Sequence, residues 1–575
     1  MLRRIICQVS CLFSAAAVAA AIMFIGQIPI GDSNPATESY IVQGADIETV
    51  TSRIEQLGGE VTHELGIINA VAADLTAQQL ERLEASGTVS SISGNASVEL
   101  AAKPGSGGGG SSGAIDSTYV VLGVNADDLH QQGIDGRGVT IAVLDSGLWQ
   151  QSGLSKSSFD ASNRILVEYD AIDDRSVAND EAGHGTHVTS IAVNSDVTTD
   201  GHYAGIAPAA NLAAVRAFDS NGNGSYADVI RGVEWIVNNA NAYNIRVLNL
   251  SFSSEPRSYY FDDPLNQAVM AAWQAGIVVV ASAGNTGPDA MTIGAPGNVP
   301  YIITVGAMTD NFTPGNFDDD VLATFSAAGP TVEGFVKPDV VAPGGHVRGL
   351  MQSSSTIATA HPEFHDGDKY FNMSGTSQAA GVVSGVAALV IQMHPTLTPD
   401  EIKFRLMSAA KPANYGGGSV AYSVWQQGAG LVDAYDAVHG EHYGSANNGL
   451  DIDADLAGTA HFGGPTSAYV GKRKGQDVLT YYVRDAQGVT MENDAYEWNG
   501  AYTSEDGFMW TDGYMWTNGY LWTDGYLWTD GYLWTDSYVW TDGYVWTDSY
   551  MWTDGYVWTN SLTESASVNV WVDQE

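Results

Sequence analysis

"RVLNLSFSSEPRSYYFDDPLNQAVMAAWQAGIVVVASAGN" (Arg246 to Asn285) begins and ends on short apolar runs, with a helical stretch between them. "RVLNLSF" and "GIVVVASAGN" are too uniformly apolar for strands with one wet face, so both of their faces must be covered. "DPLNQAVMAAWQAG" reads as the crossover helix. Strand, helix, strand in this form predicts an α/β fold, a mostly parallel sheet with helices on both faces. The pattern continues outward through "VTIAVLD", "NLAAVRAF", "YADVIRGVEWIVNNANAY" and "YIITVGA", over about residues 119 to 439. Sites in such sheets lie beyond the carboxyl ends of the strands.

The chain has 575 residues, too many for one ordinary core. Its 23 Lys+Arg against 66 Asp+Glu give a formal charge of -43. Such a chain repels itself and repels nucleic acid, so no nucleic-acid partner is expected. Most of the carboxylates read as solvated surface. Residues 1–30 read as a secretory signal: Arg3 and Arg4 precede an apolar run to Ile25, and Ala19-Ala20-Ala21 offers a cleavage site. An uncleaved membrane anchor is the alternative, so the expected location is secreted or on the cell envelope. The two cysteines, Cys7 and Cys11, lie in that segment. Its removal leaves no disulfide and no thiol catalyst.

Residues 36–102 read as strand, helix, strand, strand, helix, strand, the ferredoxin-like α+β order. A Gly/Ser linker follows at 103–118. Residues 440–497 are Gly- and Asp-rich and match no pattern. From 498 to 560 a six-residue repeat of the form "WTDGYL" carries Trp from Trp498 to Trp558, and 561–575 is a tail. The even period and the turn-forming Asp-Gly predict a short-period β-rich solenoid with stacked aromatics. The functional alternative makes the repeat the working part of a surface-attachment protein, its rings gripping a cell-surface polysaccharide or envelope component.

"NMSGTSQAAGVVSGVAALVIQM" (Asn372 to Met393) is a buried helix whose start is crowded with hydroxyls. Taken alone, Ser374, Thr376 and Ser377 would be helix caps. Two other stretches change that. "GVTIAVLDSGL" ends a strand on Asp145, and "AGHGTHVTSIAV" starts a helix on His184. An acid, an imidazole and a hydroxyl in these places fill the three roles of nucleophilic catalysis: Ser377 attacks, His184 takes its proton, Asp145 orients the ring. The order Asp, His, Ser excludes the lipase and chymotrypsin arrangements. His184 stands where a Ser-Glu-Asp peptidase would need an acid. His187 reads as packing, since no third ligand lies at zinc spacing.

"VLDSG", "HGTHV" and "GTSQAAG", in that order, resemble the three signatures of the subtilisin-like serine proteases, and the resemblance covers roughly residues 119 to 438. It implies a secreted endopeptidase acting on proteins or peptides, with no cofactor for the chemistry. It implies residues 36–102 as a propeptide that assists folding and inhibits its own enzyme. Asn285 in "VVVASAGNTG" would donate its amide to the oxyanion; by itself it reads as a turn residue. Gly222, Asn223 and Gly224, leading into Ser225, would form an edge for extended substrate. Ser251, Phe252, Ser253, Ala283 and Gly284 would wall the cleft. Gly294 resembles the floor of a roomy specificity pocket, and Thr286 brings no charge, so large apolar residues are expected before the scissile bond. The chain departs from the family at Gln378, usually Met, and Gly381, usually Pro. The family also allows a structural calcium. "DSNGNG" (Asp219 to Gly224) lacks the closing Glu of a calcium loop, having Ile230 there, and "FDDD" at Phe317 to Asp320 is the remaining candidate.

Overall fold

The computed structural model describes residues 36–100, 120–311, 313, 319–414, 420–473, 476–484, 490–491 and 566–568. The signal, the linker, the aromatic repeat and most of the tail lie outside them.

The central sheet has eight strands. Its path runs Val321–Leu322, Ile303–Thr309, Val278–Ser282, Ile245–Leu250, Thr140–Asp145, Asn211–Arg216, Ile165–Asp170, with Val340–Pro343 also paired to Ile303–Thr309. All pairings are parallel except that of the short edge strand Val321–Leu322. Thr140–Asp145 and Val278–Ser282 are buried at every position, which is why their sequences show no alternation. A Cβ added to Gly232 in the helix Tyr226–Tyr243 would lie 2.7 Å from Leu144 Cδ1. Asp145, the next strand residue, meets His184. Successive strand residues point to opposite faces, so helices cover both sides of the sheet as expected.

On the Asp145 face, the helices His184–Val193 and Thr376–Met393 pack together. Small residues set their closeness: a Cβ at Gly381 would lie 3.1 Å from the Val188 carbonyl, and one at Gly385 3.2 Å from that of Ala192. Gly381 thus keeps the close approach that a bulkier residue would spread. Thr376–Met393 is apolar and long enough to cross a membrane by composition, yet 89% of it is buried inside the protein.

Residues 37–94 form a four-stranded antiparallel sheet in the order Glu60–Leu65, Ala70–Thr76, Thr37–Gly44, Val89–Gly94, with the helices Ile47–Gln56 and Ala77–Glu84. Alternation divides its strands between two cores. Val42, Val71, Ala73 and Leu75 pack with Val50, Ile54 and Leu83 inside the unit. Ile41, Leu65, Ala70 and Ala72 face the core of the large domain. Polar contacts complete the seam: Gln43 Nε2 donates to Gln267 Oε1 (2.7 Å), Gly66 N donates to Glu234 Oε2 (3.0 Å), and Ala227 N donates to Asn95 Oδ1 (3.0 Å).

The boundary expected at residue 439 does not coincide with a break in packing. Asp455, beyond it, is 2% exposed and accepts from Tyr260 Oη (2.5 Å) and Tyr301 Oη (3.0 Å), while His461 Nδ1 lies 2.7 Å from its other oxygen. Asn447 Oδ1 accepts from the buried Lys403 ammonium (3.2 Å). Thr466–Arg473 and Gln476–Arg484 then form a hairpin. Asp455→Ala leaves two buried phenols without their acceptor, at roughly 1–3 kcal/mol each. We expect a melting temperature several degrees lower, read by calorimetry in a Ser377→Ala background that prevents self-digestion. An unchanged value would mean that the segment only rests on the surface.

Candidate active site

Asp145 ends its strand, and the chain must then turn at once to leave the sheet edge. Gly147 makes that turn with φ 119°, and a Cβ there would fall 2.5 Å from the Asn179 carbonyl. Gly183, with φ 101°, turns the chain into the helix that starts on His184. The helix start abuts the strand end closely, since a Cβ at Gly185 would lie 2.5 Å from the Gly147 carbonyl. Asp180 fastens the two together. Its Oδ1 accepts from Gly183 N (2.7 Å) and Ser146 Oγ (2.8 Å), and its Oδ2 accepts from Thr186 N (2.8 Å) and Thr186 Oγ1 (2.6 Å).

Asp145 Oδ1 meets His184 Nδ1 at 2.7 Å and also accepts from Ser146 N at 2.8 Å. Both side chains are buried. Burial alone would lower the pKa of His184. The charge of Asp145, its hydrogen bond and the more distant Asp180 outweigh that, and the imidazole is held above its ordinary value. His187 has no such partner. Burial pushes it down to about 3, and its neutral ring donates from Nε2 to the Phe371 carbonyl (3.0 Å). It is a packing residue.

Ser377, 1% exposed, donates its hydroxyl to the Ser251 carbonyl (2.9 Å). A buried polar chain sets this register: Ser384 Oγ donates to Asn249 Oδ1 (2.9 Å), Asn249 Nδ2 to Ser251 Oγ (2.8 Å), and Ser251 Oγ to the Ser377 carbonyl (2.9 Å). Gln378 Nε2 lies 3.4 Å from His187 Nδ1, so the starts of the two helices adjoin. Asn285 Oδ1 accepts from Thr376 N (2.9 Å) and Thr376 Oγ1 (2.8 Å). Those donors fix the orientation of the amide. Its Nδ2 end is 3.3 Å from where a Cβ on Gly375 would stand.

Gly222 forms a turn with φ 80°. The short strand Asn223–Ser225 that follows pairs antiparallel with Ser97–Leu100, Ser97 opposite Ser225 and Glu99 opposite Asn223. Ala566–Val568 pairs parallel on the outer side of Ser97–Leu100. Ala283, Gly284 and Gly294 lie together, Gly294 N donating to the Ala283 carbonyl (3.0 Å). Phe252 is buried, its ring against Phe218 with centroids 5.3 Å apart. The Ser253 side chain stands against Gly294.

For calcium, Phe317 and Asp318 lie outside the described residues. Asp319 accepts from Thr313 Oγ1 (2.8 Å), and burial with the nearby Asp310 and Asp319 raises Asp320 to about 6. Asp219 turns its Oδ1 onto the backbone of Asn221 and Asn223, each at 2.8 Å. No cluster of three or more acidic, His or Cys side chains suited to a metal occurs among the described residues.

Residues 136–431, about half the chain, match the family model described as the subtilase family. The chain is 40% identical over 304 residues to the serine protease AprX of Bacillus subtilis, a match covering 50% of this chain and 66% of that one. It is 31% identical to a thermostable alkaline protease of Halalkalibacterium halodurans over 68% of this chain and 92% of the relative. Subtilisin E of Bacillus subtilis is 30% identical over 67% of this chain and 84% of its own. The crystal structure of fervidolysin from Fervidobacterium pennivorans shares the fold, with a TM-score of 0.55 at 20% identity over 79% of this chain and 68% of that one. The chain belongs to the subtilase family and is a serine endopeptidase.

Proposed function

We propose that Asp145, His184 and Ser377 carry out peptide-bond hydrolysis through an acyl-enzyme, in a protein secreted as a pre-pro-enzyme. The observation that carries this reading is the buried 2.7 Å contact between Asp145 Oδ1 and His184 Nδ1, beside the helix that begins on Thr376 and Ser377. With Nδ1 engaged, His184 presents Nε2 to the Ser377 hydroxyl, which turns to it from the Ser251 carbonyl, and takes its proton as Oγ attacks the carbonyl carbon. His184 then gives that proton to the leaving amine. A water repeats the sequence in reverse to free the acid.

The oxyanion of each tetrahedral intermediate is met by Asn285 Nδ2 and by the backbone N–H of Ser377, at the positive end of an 18-residue helix. Residues 36–102 act as the inhibitor: the strand Ser97–Leu100 lies on the edge Asn223–Ser225, where extended substrate would pair. The side chain before the scissile bond is uncharged, since Ala283, Gly284, Thr286 and Gly294 bring no charge to the pocket.

Asn285→Ala is expected to lower kcat by about 10²–10³ with KM nearly unchanged, because the lost donor serves only the transition state. Steady-state hydrolysis of a chromogenic peptide checks it. An unchanged kcat would remove Asn285 from the oxyanion site, and failure of the wild type to cut any peptide would overturn the reading.

A further inference from the structure

Three backbone segments converge beside Asn285. Ser254 N donates to the Ala295 carbonyl (2.9 Å), Ala295 N donates to that of Ser254 (2.7 Å), and Gly294 N donates to that of Ala283 (3.0 Å). Gly284 and Gly294 have no side chains, and in an open pocket the volume they leave would be free. Here Ser253 fills it. A Cβ built on Gly294 would fall 2.0 Å from Ser253 Oγ, and one built on Gly284 would fall 2.8 Å from the same atom. The hydroxyl therefore bridges the slot between the two glycines. Ser253 is 8% exposed.

We propose that Ser253 shortens the pocket for the residue before the scissile bond, so that this protease cleaves after small side chains, alanine foremost, and not after large apolar ones. The inference rests on the serine-protease mechanism above and replaces the expectation of a roomy pocket. An aromatic ring entering between the two backbone walls would meet the Ser253 hydroxyl; an alanine methyl stops short of it. The strand Ser97–Leu100, laid on the substrate edge, ends on Leu100 and is followed in sequence by Ala101 and Ala102, so the point of self-cleavage tests the proposal.

The test compares the mature wild type with Ser253→Gly and Ser253→Thr on two peptide anilides that differ only in a final Ala or Phe. The ratio of kcat/KM for the two substrates is taken within each preparation, so the fraction of folded enzyme cancels. We expect the wild type to prefer Ala. Ser253→Gly should move the ratio toward Phe by about 10- to 100-fold, the scale of a methylene-sized change in a pocket, and Ser253→Thr should move it further toward Ala. Equal ratios in all three proteins, or a wild-type preference for Phe, would overturn the proposal. If the wild type cuts neither peptide, the proposed reaction fails, and calorimetric affinities for the product peptides ending in Ala or Phe still decide the role of Ser253. Mature protein should begin at Ala102 or Lys103. A mature start at Ala101, which requires cutting after Leu100, would count against it.

Discussion

Ser377→Ala is expected to secrete as a longer chain that hydrolyses no casein. Removal of the nucleophile ends acyl-enzyme formation and lowers kcat by roughly 10⁶-fold, the scale on which triad members acting as one unit fail. The same change stops self-processing, so the N-terminal unit stays attached, and intact mass reads this directly. The variant should remain folded. Ser377 contributes one hydroxyl hydrogen bond, to Ser251, while its backbone carbonyl keeps the bond from Ser251 Oγ and the helix keeps its packing on Val188 and Ala192. Casein hydrolysis equal to wild type would refute the assignment.

Asp145→Asn is expected to cost about 10⁴ in kcat, because an amide presents the wrong group to Nδ1 and no longer holds the tautomer with Nε2 free to accept. The pH profile carries a second signature. His184 is buried, and burial pulls its pKa down; the Asp145 carboxylate is the largest influence raising it. A general base works only when neutral, so wild-type kcat/KM falls as pH drops through a value above the ordinary 6.5. With the carboxylate gone, burial dominates, and the acid limb of the residual activity moves to lower pH. A limb that stays in place would show that the titrating group is not His184.

The parts of the site that were legible in sequence are those fixed by local geometry. Asp145 closes an apolar strand, His184 and Ser377 open small-residue helices, and each fact shows within a dozen residues. Thr376 and Asp180 were missed as positioning residues. Both look like ordinary helix-start residues, and only the structure shows Thr376 gripping Asn285, 91 positions away. Phe252 packs against Phe218, a partner 34 positions away that local sequence does not reveal. Residues 440–466 matched no pattern because their anchors are remote. Asp455 meets Tyr260 and Tyr301 across 195 and 154 positions, and no window of sequence contains both ends.

The small N-terminal sheet shares one of its two faces with the body of the enzyme, through Ile41, Leu65, Ala70 and Ala72. Such a unit is not a stopper that can be lifted out and replaced at will. Under the proposed processing, a copy cut free would carry a bare oily side into water and lose the support of its neighbour. Maturation built on that sheet would work as a ratchet, the way back closing behind each departing copy.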